Sequence, residues 1–143
     1  MDNECLENTM PELNNYFASH KDIATVYLFG SYGTELYDPE RSDLDLAILF
    51  YRNLSLKEEM LIDAEISMIV GRDNIDITIL NKARVDICHQ VLVTGEIIYE
   101  ENKIVTANFM EKTLKFYFDY GIPLHKMKVD FIEGLKEGSG TGD

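Results

Sequence analysis

The amino-acid sequence predicts an α+β fold in which helices pack on a small mixed β-sheet. Apolar runs with strand character alternate with segments of helical periodicity, in the order helix, strand, strand, helix, strand, helix, strand, helix. With 143 residues, the chain has room for one domain with a substantial core but not for two. We expect one domain over residues 1–120 and a tail over 121–143, whose Gly-Ser-Gly-Thr-Gly end resembles a flexible linker or vector-derived sequence.

The first helix and the first two strands are predicted from the N-terminal third of the chain. Residues 9–12, Thr-Met-Pro-Glu, have the form of a capping box with proline in the first turn, so a helix should begin there and run to about His20. Apolar runs over residues 23–29 and 43–50 predict two strands, separated by a polar segment.

A second capping box, Ser-Leu-Lys-Glu at residues 55–58, predicts a helix that ends at Gly71. We expect this helix to bury Leu61, Ala64 and Met68. Residues 75–80 then alternate, which places three isoleucines on one face of a third strand and Asp76, Thr78 and Leu80 on the other.

The last third predicts a helix over about residues 81–93, a short strand at 97–99 and a helix at 103–120, which ends at Gly-Ile-Pro. The last helix carries more large apolar side chains than one small sheet needs. This surplus predicts either a docking surface or ordinary core packing.

Chemistry-bearing residues gather where the first strand ends and the second begins. Asp43 and Asp45 are two residues apart in a strand, so their carboxylates share one face and repel each other unless a cation lies between them. The turn at Gly30-Ser31 can direct backbone N–H groups and a hydroxyl at an anion. Together they predict a site for a nucleoside triphosphate carrying Mg²⁺. Tyr32 is placed to stack on the nucleotide, or simply to pack.

The formal net charge of −13 argues against nucleic acid as the main partner, because such a surface repels phosphate backbones. It suits a basic protein or a cationic small molecule equally. No apolar stretch is long enough to span a membrane and the acidic N-terminus lacks a secretory start, so we expect no membrane association and a cytoplasmic protein. Two cysteines are too few for a disulfide framework, and the three histidines have no paired metal spacing.

The apolar strand, the Gly30-Ser31 turn, and Asp43 and Asp45 at the start of the next strand resemble the nucleotidyltransferase superfamily that includes DNA polymerase β, and within it the minimal nucleotidyltransferases (MNT). The resemblance covers about residues 10–120 and implies the nucleotidyltransferase fold, with the catalytic acids on adjacent strands. It further implies that Asp76 is a third catalytic acid, that all three acids bind Mg²⁺, with two ions, and that ATP is the nucleotide donor.

The resemblance extends to the MNT antitoxins of HEPN/MNT toxin–antitoxin pairs. It implies a hetero-oligomer in which AMP passes from ATP to a tyrosine of the HEPN toxin and silences this RNase. Many relatives carry an arginine shortly after the Gly-Ser turn, where this chain has Gly-Thr-Glu at residues 33–35. Arg41 could supply that charge at the phosphates. Two other functions remain open: a small-molecule adenylyltransferase of the aminoglycoside or lincosamide type, and a binding antitoxin without activity.

Overall fold

The computed structural model describes residues 2–30, 44–71 and 75–121 of the chain. Four α-helices and four strands follow one another along them: α1 Asp2–Ser19, β1 Ile23–Phe29, β2 Leu44–Phe50, α2 Leu56–Val70, β3 Ile75–Ile79, α3 Val85–Thr94, β4 Glu96–Glu100 and α4 Lys103–Phe116, which a π-helical turn at Tyr117–Gly121 continues. The predicted α+β class and the predicted order of elements are confirmed.

The four strands form one mixed sheet in the order β3-β2-β1-β4. The central strand β1 is antiparallel to both β2 and β4, whereas β2 and β3 are parallel and are joined by α2. A parallel pair requires such a crossover, because its second strand must start at the same end of the sheet as the first. The ends of β1 and the starts of β2 and β3 therefore lie at one end of the sheet.

Helices cover both faces of the sheet. Side chains alternate along each strand, so β1 and β2 supply apolar groups to two cores. One core lies between the sheet and the pair α1 and α2, and its largest fully buried members are Phe17, Leu13, Ile23, Leu44, Leu46, Ile48, Ile66 and Val26. The other lies against α3 and α4 and includes Ala24, Tyr27, Ala47, Leu49, Leu80, Cys88 and Val91.

The first helix begins earlier than predicted. It starts at Asp2 and continues through Pro11, so the predicted start at Thr9 is wrong. A proline inside a helix lacks one N–H donor and crowds the preceding turn. The remaining hydrogen bonds of an 18-residue helix and its buried face, at Leu13 and Phe17, outweigh this local cost.

The ends of α2 are as predicted, but its buried face is not. The Ser55 hydroxyl accepts a hydrogen bond from the Glu58 N–H at 3.2 Å, and the Glu58 carboxylate accepts one from the Ser55 N–H at 3.0 Å. Gly71 ends the helix with a φ of +78°. The buried residues are Ile62, Ile66 and Val70, whereas the predicted Leu61, Ala64 and Met68 are exposed. Apolar side chains surround most of this helix, so the position of the sheet, rather than periodicity, selects the face.

The predicted start of α3 at Asn81 is also wrong, because Asn81 extends the sheet. Its side-chain amide donates to the Phe50 carbonyl and accepts from the Phe50 N–H, both at 2.8 Å. The amide thus replaces a backbone partner for β2, and α3 starts at Val85. Among the described residues, no helix combines the length and apolar character needed to cross a bilayer.

Candidate functional site

The predicted site lies at the end of the sheet where β1 ends and β2 and β3 begin. Asp45 is the register partner of Phe29 in β1 and of Asp76 in β3. Register partners on neighbouring strands lie about 5 Å apart and direct their side chains to the same face. The fold therefore brings Asp45 and Asp76 together, although 30 residues of sequence separate them.

Both aspartates lie on the face that α3 and α4 cover. Along β2 their face continues through Ala47, and along β3 it continues through Leu80, which are both members of the second core. Asp45 is half-buried and Asp76 is exposed. Two carboxylates directly opposite each other repel, and the repulsion is relieved when a cation binds between them. This adjacency fits a divalent metal with oxygen ligands.

Gly30 holds the turn that faces this pair. Its φ of +84° lies in the left-handed region, which side chains rarely allow. A Cβ atom added at Gly30 would overlap Oδ2 of Asp45 and would lie 3.0 Å from its Cγ. The Asp45 carboxylate therefore lies directly against the backbone of the turn. Position 30 favours glycine because the backbone is left-handed and because a side chain there would displace this carboxylate.

A second close approach, between Gly95 and β1, lies beside Asp45. A Cβ atom at Gly95, which follows α3, would collide with the Val91 carbonyl oxygen and would lie 3.4 Å from Cβ of Phe29. The end of α3 thus packs against the last residue of β1, beside Asp45 in the register. The sequence does not predict Phe29 or Gly95 as residues of the site. The Thr-Gly pair at the end of the helix marks the position, but only the register shows that it adjoins the carboxylates.

Three predicted site residues, Ser31, Arg41 and Asp43, lie outside the described residues, as does Tyr32. In the part of the chain that the structure describes, no cluster of three or more His, Cys, Asp or Glu side chains is arranged to hold a metal ion. Asp45 and Asp76 are two of the three predicted ligands. Asp43, the third, lies outside the described residues.

A cavity of about 440 Å³ lies at the opposite end of the sheet. Leu49 and Leu80, at the ends of β2 and β3, line it with Cys88, Phe109 and Phe116. Burial raises the pKa of the Cys88 thiol to about 11, so this sulfur stays protonated and is not a nucleophile at neutral pH. Because the cavity lies at the opposite end of the sheet from the carboxylates, we do not assign it to the site.

Comparison with known proteins places these features in a family. The model of the polymerase beta nucleotidyltransferase family matches residues 11–104, which is more than half of the chain. No curated protein sequence is significantly similar to the chain.

Several solved structures have the same fold. A chain of the MntA-HepT toxin–antitoxin complex is 18% identical with a TM-score of 0.68, and a chain of a toxin–antitoxin complex with AMP-PNP is 21% identical with a TM-score of 0.70. A third, from the tri-AMPylated Shewanella oneidensis HEPN toxin in complex with MNT antitoxin, is 19% identical with a TM-score of 0.70. Each alignment covers 88% of this chain and 98% of the other. At this identity, the similarity establishes the fold alone.

Proposed function

Since the chain belongs to the polymerase beta nucleotidyltransferase family, we propose that it is the antitoxin of a toxin–antitoxin pair and a protein adenylyltransferase. It transfers AMP from ATP to a tyrosine of a cognate HEPN toxin in the cytoplasm and thereby neutralises the toxin. The observation that carries this proposal is the register pairing of Asp45 with Asp76 beside the turn at Gly30. We further propose that residues 1–120 form the catalytic domain and that residues 121–143 are a tail.

The carboxylates have distinct roles in this proposal. Asp43, Asp45 and Asp76 would bind Mg²⁺, which neutralises the negative charge of the triphosphate. Asp76 is the more exposed of the two described aspartates, so an acceptor hydroxyl can reach it from solvent. Its carboxylate completes the metal site or accepts the phenolic proton.

The turn at Gly30 and Ser31, with Arg41, binds the phosphates and orients the α-phosphorus for in-line attack. The tyrosine oxygen forms a bond to the α-phosphorus, the bond from that phosphorus to the bridging oxygen breaks, and pyrophosphate leaves. Catalysis of this kind depends mainly on positioning and on compensation of charge.

A protein acceptor is supported by the surface of the chain. Phe116 and Phe118, at the end of the last helix, are 44% and 66% exposed. Large exposed aromatic groups are typical of protein-binding surfaces. The net charge of −13 favours a basic partner. Structures with the same fold include complexes of MNT antitoxin with HEPN toxin, one of them AMPylated.

One observation favours a second function, that of a binding antitoxin without activity. Gly-Thr-Glu stands at residues 33–35, where many relatives carry an arginine that contacts phosphate. Without that arginine the chain would still bind a partner protein through its surface but would bind ATP weakly.

Label transfer distinguishes these functions. The chain is incubated with ATP labelled on the α-phosphate, Mg²⁺, and in turn a co-encoded HEPN protein or a panel of cationic antibiotics. Label on a tyrosine of the HEPN protein supports the proposal. Label on an antibiotic indicates a small-molecule adenylyltransferase instead, and a tight complex without label indicates the binding antitoxin.

The carboxylate assignment is tested by Asp45→Asn. Removal of one metal ligand should lower label transfer by about a hundredfold or more, while circular dichroism shows an intact fold. Asp119→Asn is the matched control, because Asp119 is exposed and lies beyond the last α-helix. Near wild-type transfer by the Asp45 variant would refute the assignment.

A further inference from the structure

A shallow groove of about 210 Å³ follows the outer edge of β3, on the face of the sheet that α2 covers. Its lining residues come from α2 and β3 and are Leu56, Glu59, Met60, Asp63, Ile77 and Ile79. Leu56 and Met60 are 70% and 65% exposed. The groove therefore has exposed apolar side chains and two carboxylates in its lining.

The edge of β3 beside this groove is open among the described strands, because β3 is the last strand in the sheet order. Leu80 donates its backbone N–H to the Ile48 carbonyl in β2 at 2.9 Å. Backbone groups point alternately to the two sides of a strand, so those of Ile77 point away from β2. Unpaired edges are usually guarded by charged side chains. The other edge strand, β4, carries Glu96 and Glu100, whereas the single charged residue of β3 is Asp76.

The groove and the candidate site share this edge strand. Asp76 directly precedes Ile77, at a rise of about 3.3 Å along the strand, and it faces the opposite side of the sheet. The groove and Asp76 thus lie on opposite faces of the same edge strand. A protein bound in the groove and wrapped around the edge of β3 would place a side chain beside Asp76.

We propose that this groove docks the protein acceptor and holds the acceptor hydroxyl at Asp76. The proposal rests on the proposed function, since it names the surface through which the acceptor of that reaction binds. The occupant is a segment of the acceptor protein that inserts apolar side chains between Leu56, Met60 and Ile77. Phe116, at the end of the last helix, borders the cavity at the opposite end of the sheet and does not adjoin the carboxylates, so it cannot position the acceptor in this way.

Charge determines the chemistry of the occupant. Glu59 and Asp63 both line the groove. The Lys82 ammonium donates to Glu59 at 2.7 Å, whereas Asp63 accepts only a neutral hydrogen bond, from the Ser67 hydroxyl at 3.4 Å, so its negative charge is not compensated by a described cation. The whole chain carries −13. A segment with lysine or arginine beside its apolar residues would complement this rim, and an acidic segment would be repelled.

The test compares two variants with the same residue change on the same helix. Met60 lines the groove, whereas Met68 is 82% exposed and does not. A co-encoded HEPN protein is titrated into the wild-type chain, Met60→Glu and Met68→Glu, and both Kd and the steady-state transfer of AMP are measured. Met60→Glu should weaken binding about tenfold or more and raise KM for the acceptor with kcat little changed, while Met68→Glu should change Kd less than about twofold. Asp63→Lys should likewise weaken binding, and Glu111→Lys, on α4, should not.

The outcomes separate the two proposals. If the wild-type chain binds and labels the partner and Met60→Glu does so equally well, the docking proposal is overturned and the proposed function stands. If the wild-type chain neither binds nor labels the partner, both fall. If the chain forms a dimer that Met60→Glu dissociates and that the partner does not displace, the groove holds a second copy and the docking proposal is overturned.

Discussion

Replacement of Gly30 by alanine should separate the positioning of Asp45 from the stability of the fold. The backbone at Gly30 has a φ of +84°. An alanine held in this left-handed region costs about 1–2 kcal/mol. In addition, its Cβ would overlap Oδ2 of Asp45, and because this oxygen is the free end of a flexible side chain, it can move at little cost in stability. The Asp45 carboxylate can avoid the overlap only by moving away from the turn.

Gly71 offers a matched control. Its φ of +78° imposes the same backbone strain, but no atom of the described residues lies within 4 Å of the position that a Cβ would occupy. Gly71→Ala should therefore lose about 1–2 kcal/mol of unfolding free energy and keep its activity. Gly30→Ala should lose a similar amount of unfolding free energy, about 1–2 kcal/mol, but should also lower AMP transfer by about a hundredfold, because a displacement of about 1 Å at a reacting group has this effect.

Urea denaturation gives the two free energies of unfolding, and label transfer from ATP gives the activities. In a domain of this size, each kcal/mol also shifts Tm by about 2–4 °C. The reasoning is refuted if Gly30→Ala transfers AMP at the wild-type rate, as Gly71→Ala should. In that case the Asp45 carboxylate would not depend on the absence of a side chain in the turn.

Two further predictions concern stability and pH. Ser55→Ala removes the hydroxyl that caps α2 and should lower the free energy of unfolding by about 1 kcal/mol with AMP transfer unchanged; equal stability in urea would show that the cap contributes nothing. Burial raises the pKa of Cys88 from 9.0 to about 11, so folding favours the protonated thiol. The contribution of this thiol to the stability of the fold is therefore present below pH 9 and is lost as the pH rises to about 11. In a Cys5→Ser background, iodoacetamide at pH 9 should therefore alkylate Cys88 much more slowly in the folded chain than in urea, and equal rates would contradict its burial.

Local sequence was sufficient for several elements. The unbroken apolar run of β1 and the alternation of β3 gave these strands to within one residue, because a strand buried on one or both faces needs apolar side chains at fixed positions. The capping box at Ser55 and the glycine at position 71 fixed α2, since helix ends depend on hydrogen bonds within a few residues. The chemical types in the candidate site were also readable, as carboxylates after a glycine turn.

Other features depended on contacts that local sequence does not encode. The face that α2 buries was predicted wrongly, because Leu61 and Met68 are as apolar as Ile62 and Ile66, and only the sheet beneath selects between them. The start of α1 was misplaced because a proline at position 11 usually marks a first turn. The role of Asn81 as a side-chain partner for β2 had no local signal at all.

The sequence alone determined the types of residue that this site uses, because Gly30, Asp45 and Asp76 each stand at a recognisable position in a turn or a strand. Tertiary structure decided that Asp45 and Asp76 are register partners and that the Gly30 backbone touches the Asp45 carboxylate. It also decided that β3 lies at the edge of the sheet, so that Asp76 borders an open groove. The physical reason is that strand order and register are set by how the helices cover the sheet as a whole, whereas propensity acts over only a few residues.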